Sequence, residues 1–170
     1  MQRAFFLIIA SIFIGRFSTA YAQQIEIGKA TDEVFIITAD TGILKKAIHN
    51  MLHDGTTIQE LSIQSFAQFH YLVATGTNHQ FKKIIAIQLV YDIQTRLFYA
   101  QKQGSHVTCT SAACDNCTLF KEAGKIIGCK CAEKSTISNQ CNYTNIAQST
   151  FYQHYMRVKQ MNTKPALKPR

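Results

Sequence analysis

Six cysteines, Cys109, Cys114, Cys117, Cys129, Cys131 and Cys141, crowd one stretch of the chain, and none lies elsewhere. Thiols at that density admit three chemistries. On the oxidising side of a membrane they close into disulfides, and an even number in a short span is the mark of such a framework. The spacing does not fix the pairing. If residues 128–132 are extended, however, Cys129 and Cys131 point to one face and reach separate partners rather than each other. A second chemistry is a tetrahedral zinc site built from Cys114, Cys117, Cys129 and Cys131, which offer thiolates in two close pairs. A zinc ribbon uses two C-x2-C knuckles, whereas the second pair here is C-x-C. The third is thiol–disulfide exchange at Cys114-Asp115-Asn116-Cys117, where a helix N-terminus would lower one thiol pKa. A thioredoxin-like site needs a βαβ unit and a neighbouring cis-proline, yet the prolines are Pro165 and Pro169.

Other residue types point to less. His49 and His53 are four apart, a spacing that can clamp a metal, but position 50 is Asn50 where a zinc hydrolase needs Glu, so the pair reads as a solvated helix face. His70, His79, His106 and His154 have no partner nearby in sequence. There is no phosphate-binding glycine loop, no G-x-S-x-G elbow and no convincing carboxylate pair. Asn116-Cys117-Thr118 and Asn142-Tyr143-Thr144 are glycosylation sequons that matter only in a source that glycosylates exported chains. The residues therefore favour a non-enzymatic protein without a cofactor, with a redox factor using Cys114 and Cys117 or a zinc protein as the alternatives.

The elements that must carry these residues begin after an export signal. Arg3 precedes an apolar run from Ala4 to Gly15, and Ala20-Tyr21-Ala22 supplies the small residues of a cleavage site. The run is too short to cross about 30 Å of hydrocarbon as a permanent helix. Residues 1–22 thus read as a signal peptide, with no transmembrane segment after cleavage and a periplasmic, extracellular or cell-surface destination. Removing 22 of the 170 residues leaves 148, a size that supports a real core. Arg3 and Arg16 leave with the signal, so the net charge falls from +8 to +6. That balance favours an anionic cell-envelope surface or an unknown protein as partner, with no nucleic acid expected.

Residues 33–38 form a short β-prone run. Ile43, Leu44, Ala47, Ile48, Met51 and Leu52 recur at helical steps behind a cap at Asp40 or Thr41, with Gly55 as the stop. Four further β-prone runs follow at 58–64, 69–75, 83–91 and 96–101 with short links, which pair antiparallel. In the third, Ile85, Ile87, Leu89 and Tyr91 share one face and Ile84, Ala86, Gln88 and Val90 the other, the pattern of a central strand. The expected fold is α+β: residues 23–103 as one helix on a four- to five-strand antiparallel meander, then residues 104–147 as loops stapled by cysteine. In residues 148–170, Phe151, Tyr152, Tyr155, Met156 and Val158 make an apolar stripe, and a basic tail from Arg157 onward reads as disordered. Phe151, Tyr152, Tyr155, Arg157 and Lys159 are candidates for contacting a partner, although the stripe suits docking on the domain itself equally well.

Two resemblances follow from these residues. Cys109-x4-Cys114-x2-Cys117 with a distant Cys141 resembles the ligand spacing of plant-type 2Fe–2S ferredoxins over four positions, but there the loop sits in a β-grasp domain, and here it follows the meander. Tyr71-Leu72-Val73-Ala74-Thr75-Gly76, followed by Ile127-Gly128-Cys129-Lys130-Cys131 and Cys141-Asn142-Tyr143-Thr144, resembles small exported bacterial proteins with a C-terminal Gly-Cys-x-Cys…Cys-Asn block. That resemblance implies bacterial export and brings no catalytic residues.

Overall fold

The computed structural model describes residues 23–32, 34–79, 81–111, 117–131 and 141–163. In chain order these form β1 (Gln24–Ala30), β2 (Phe35–Ile37), α1 (Thr41–Leu52), β3 (Thr57–Phe66), β4 (Phe69–Asn78), β5 (Phe81–Asp92), β6 (Leu97–Gln101), β7 (His106–Ser111), β8 (Cys117–Glu122), β9 (Lys125–Cys131), β10 (Cys141–Ile146) and α2 (Phe151–Thr163).

Alternation along β5 organises the sheet. Ile85, Ile87 and Leu89 enter the main core, while Ala86, flanked by Ile84, enters a second apolar cluster on the opposite face. Apolar side chains on both faces belong to a strand covered on both sides, as the alternation predicts. One edge of β5 pairs with β4 throughout Phe81 to Leu89. The other edge is shared: Leu89 to Asp92 pair with β6, and Lys83 to Ile87 pair with β7. The sheet therefore forks at Gln88. One arm runs through β6 to β1 and β2, the other through β7 to β10. The strands β3, β4, β5, β6, β1 and β2 curl into a nearly closed antiparallel barrel. Its seam is tight enough that a Cβ at Gly28 would stand 2.6 Å from Ile63 Cδ1.

Helix α1 starts where Asp40 accepts a hydrogen bond from Ile43 N–H at 3.0 Å, and it ends at His53, which takes the left-handed conformation ahead of Gly55. Leu44, Ala47, Ile48 and Met51 fill the main core beside Ile27, Leu72 and Phe98. Helix α2 packs along α1, adding Phe151 and Tyr155 to the same core.

This architecture corrects the expected one. The chain is mostly β, with two helices against a barrel-like sheet, rather than one helix on a four- to five-strand meander. Two features of the sequence concealed it. β1 is short, with a register shift between Glu26 and Gly28 that breaks its alternation. The cysteine-rich segment, expected to be loops, forms strands β7 to β10, which cover the second apolar cluster with few aliphatic side chains, Val107, Leu119 and Ile126 among them. Residues 157–163 continue α2 with Val158 fully buried, because no helix breaker intervenes before Pro165. The signal peptide expected over residues 1–22 and the end of the basic tail lie outside the described residues.

Candidate functional site

β8 and β9 form a separate two-stranded hairpin laid on the outer face of the β5–β7–β10 arm. Its turn is Ala123-Gly124, with φ of 48° and 81°, the positive-φ geometry of a two-residue type I′ loop. Glycine is required twice over at 124, since a Cβ there would also meet Phe66 O at 2.5 Å. The turn thus seats against the β3–β4 turn, and Lys121 Nζ lies 3.4 Å from the centroid of the Phe66 ring. At its base the hairpin is bolted to the sheet by two disulfides, Cys109–Cys129 from β7 to β9 and Cys117–Cys141 from β8 to β10.

These pairings bear on the competing sulfur chemistries. The cysteines form disulfides rather than a metal site: Cys117, Cys129 and Cys131 are all disulfide-bonded, and Cys114 lies outside the described residues. Among the described residues no group of three or more His, Cys, Asp or Glu gathers as metal ligands. Of the ferredoxin-like spacing, Cys109, Cys117 and Cys141 are likewise disulfide-bonded. A C-x-x-C redox couple bonds its own two sulfurs, whereas Cys117 bonds Cys141. Cys129 and Cys131 are not bonded to each other, as their shared face on an extended strand predicts.

Beneath the hairpin, Tyr71, Val73, Ala86, Val107 and Ile126 make the second apolar cluster. Tyr143 donates its hydroxyl to Ile126 O at 3.5 Å. Burial raises the Tyr71 phenol above its ordinary value; a hydrogen bond from the Ile126 backbone opposes this and Tyr143 reinforces it. Where the hairpin stops covering the sheet, a groove of about 550 Å³ opens between Ala86, Gln88 and Val107 on the sheet and Lys125, Ile126 and Ile127 on the hairpin. It runs on into a smaller cavity of about 190 Å³ that reaches Val90, Gln101 and Gln103 and shares Gln88, Ser105 and Ala147 with the first. The groove follows from the fork: as β6 and β7 part company at Gln88, the connecting segment 102–105 swings outward. Gln88 N–H donates to Ser105 O at 3.0 Å, and Ser105 Oγ donates to Gln88 Oε1 at 2.8 Å. No Asp or Glu lines either cavity. Such a surface can recognise by hydrogen bonding and shape.

The nearest approach to a nucleophile–base pair is elsewhere. Ser65 Oγ lies 2.5 Å from His70 Nδ1, directly across the β3–β4 ladder. The His70 ring packs against Phe35, Tyr91 and Phe98, burial lowers its pKa, and no carboxylate contacts it among the described residues. It has no group to orient it as a general base. The other histidines scatter. His49 Nδ1 lies 2.6 Å from Thr56 O, the His53 and His154 rings meet edge to face at 5.2 Å, and His79 sits in a turn at φ 51°. His106 pairs with Ile87 in the β5–β7 ladder and is among the residues that line the groove. Of the stripe proposed for a partner, Phe151 and Tyr155 are buried in the core and Tyr152 packs against it, while Arg157 and Lys159 are exposed. Gln88 and Ser105 carried no sequence signal beyond Gln88's place on a central strand.

Comparison of the chain with known protein families, with curated proteins and with solved structures finds no match.

Proposed function

We propose that this is an exported, non-enzymatic binding protein whose ligand sits in the groove between the disulfide-bolted hairpin and the outer face of the sheet. The observation that carries this reading is the bolting itself. Two bridges and a seated turn hold the hairpin at a fixed height over β5, and a wall that cannot move keeps the groove open without a ligand, so binding need not order the site. Disulfides indicate an oxidising environment, and no helix among the described residues is long and apolar enough to cross a membrane. Periplasmic, extracellular or cell-surface residence accords with both, and with the cleavage pattern at Ala20-Tyr21-Ala22. The partner is anionic: the chain without residues 1–22 carries +6, and Lys121, Lys125 and Lys130 lie exposed on the hairpin.

The test is intact mass measurement of protein from its native compartment, alkylated before and after reduction, with a native spray for bound metal. The expected result is no alkylation before reduction, full alkylation after it, and no metal adduct. One reducible pair that alkylates under mild conditions would replace this reading with a redox factor.

A further inference from the structure

Resting on the reading of the groove as a binding site, we infer that its ligand is an acidic oligosaccharide, with sugar hydroxyls on Gln88, Ser105 and Gln103 and a ring carboxylate at Lys125. Three observations lead there. First, the floor of the groove is the outer face of β5. The backbone groups of β5 are spent on the ladders to β4, β6 and β7, so the floor offers side chains alone. Such a floor suits a ligand that is recognised through side chains, as sugar hydroxyls are.

Second, the polar side chains beside Lys125 are amides (Gln88, Gln103, Asn145), hydroxyls (Ser105, Tyr71, Tyr143) and the His106 imidazole. Each amide presents a donor and an acceptor side by side, which matches adjacent sugar hydroxyls, each of which both donates and accepts. The Ser105 hydroxyl engages Gln88 Oε1, and the Gln88 Nε2 donor has no partner among the described residues. Ile126, Ile127 and Val90 give apolar surface for the C–H faces of sugar rings. Third, Lys125 is the charged side chain of the lining, and no acid opposes it. One cation at one end of a neutral groove selects a ligand with spaced, not clustered, negative charge. From Ala86 to Val90 the strand extends roughly 14 Å, longer than a single sugar ring, which calls for an oligosaccharide.

The experiment titrates the full disulfide-bonded protein by calorimetry with three probes: a tetragalacturonate, a neutral galactose tetrasaccharide, and an uncharged-side-chain tetrapeptide with a free C-terminal carboxylate. The expected order is the acidic sugar at least tenfold tighter than the neutral one, and the peptide weakest. Lys125→Gln, at an exposed site, should erase the difference between the two sugars, and Gln88→Leu should weaken both at least tenfold with the melting temperature retained. Equal affinity of the two sugars, or a Lys125→Gln variant that still discriminates, overturns the assignment. Peptide binding that is lost in Gln88→Leu, without sugar binding, overturns it while leaving the groove as a binding site. No response to any probe overturns both.

Discussion

His106 Nδ1 is buried without a hydrogen-bond partner among the described residues, and burial lowers the His106 pKa, as it does that of His70. A depressed histidine pKa means that the unfolded chain binds a proton near pH 6.5 that the folded chain refuses. Their contribution to stability is therefore complete above about pH 6.5 and shrinks as the pH falls below it. Thermal unfolding measured from pH 7.5 to 5 should show the midpoint dropping below about pH 6.5, and His106→Leu should flatten that drop. Asp54 works in a lower range. Burial alone would raise its pKa, but hydrogen bonds from Lys83 and Thr56 outweigh this and hold it below 3.8, so its contribution disappears only in stronger acid. At this scale residue type and count revealed the disulfides, since both follow from the chemistry of thiols. The pairing was not legible, because it depends on which strands the fold brings together. Gln88 and Ser105 were invisible as a site for the same reason: an amide in a strand acquires a role only from the fork beside it.

The hairpin is the element on which the proposed function turns. Cys109–Cys129 closes a loop with a sequence separation of 20, so the double variant Cys109→Ala/Cys129→Ala should lose about 3 kcal/mol in chemical denaturation. Under mild reductant, hydrogen exchange should accelerate in β8 and β9 while β4 and β5 stay protected, because Leu72, Ala74, Ile85 and Ile87 hold their core without sulfur. Equal acceleration in both would show that the hairpin and the sheet open together. Ile87, 2% exposed, cannot accept a charge, and Ile87→Asp should leave the chain unfolded by circular dichroism. Elements whose apolar residues repeat at a fixed step, α1 and β3 to β6, were legible in the sequence. β7 to β10 were not: Thr, Cys, Asn and Tyr alternate there without the hydrophobic contrast that marks a half-buried strand.

For the whole molecule, the position of β1 bears on processing. The strand begins at Gln24, and Ile27 within it is fully buried. Cleavage after Ala22 would therefore spare the barrel by one residue. N-terminal sequencing of exported protein should begin at Gln23, and a chain started at Gln23 should fold, whereas one started at Thr31 loses a barrel strand and should not. The C-terminal end sets a similar limit, since Val158 is buried and a truncation at 157 would cut into the core. Deleting residues 164–170 is the informative version: thermal stability should be unchanged, and any low-salt binding to anionic vesicles that depends on the tail should vanish.

The two bridges also interleave along the chain. Cys109 passes over Cys117 to reach Cys129, and Cys117 passes over Cys129 to reach Cys141. A chain that meets an oxidant as it emerges, N-terminus first, exposes its cysteines one after another, and the first bridge open to Cys109 joins it to a neighbour that is not its own. Maturation then becomes a problem of kinetics: early bridges have to be undone by thiolate attack before β9 exists to receive Cys109. Reduced chain given an oxidant without thiol should accumulate scrambled isomers of native mass, and a glutathione redox couple should convert them to a single species within hours.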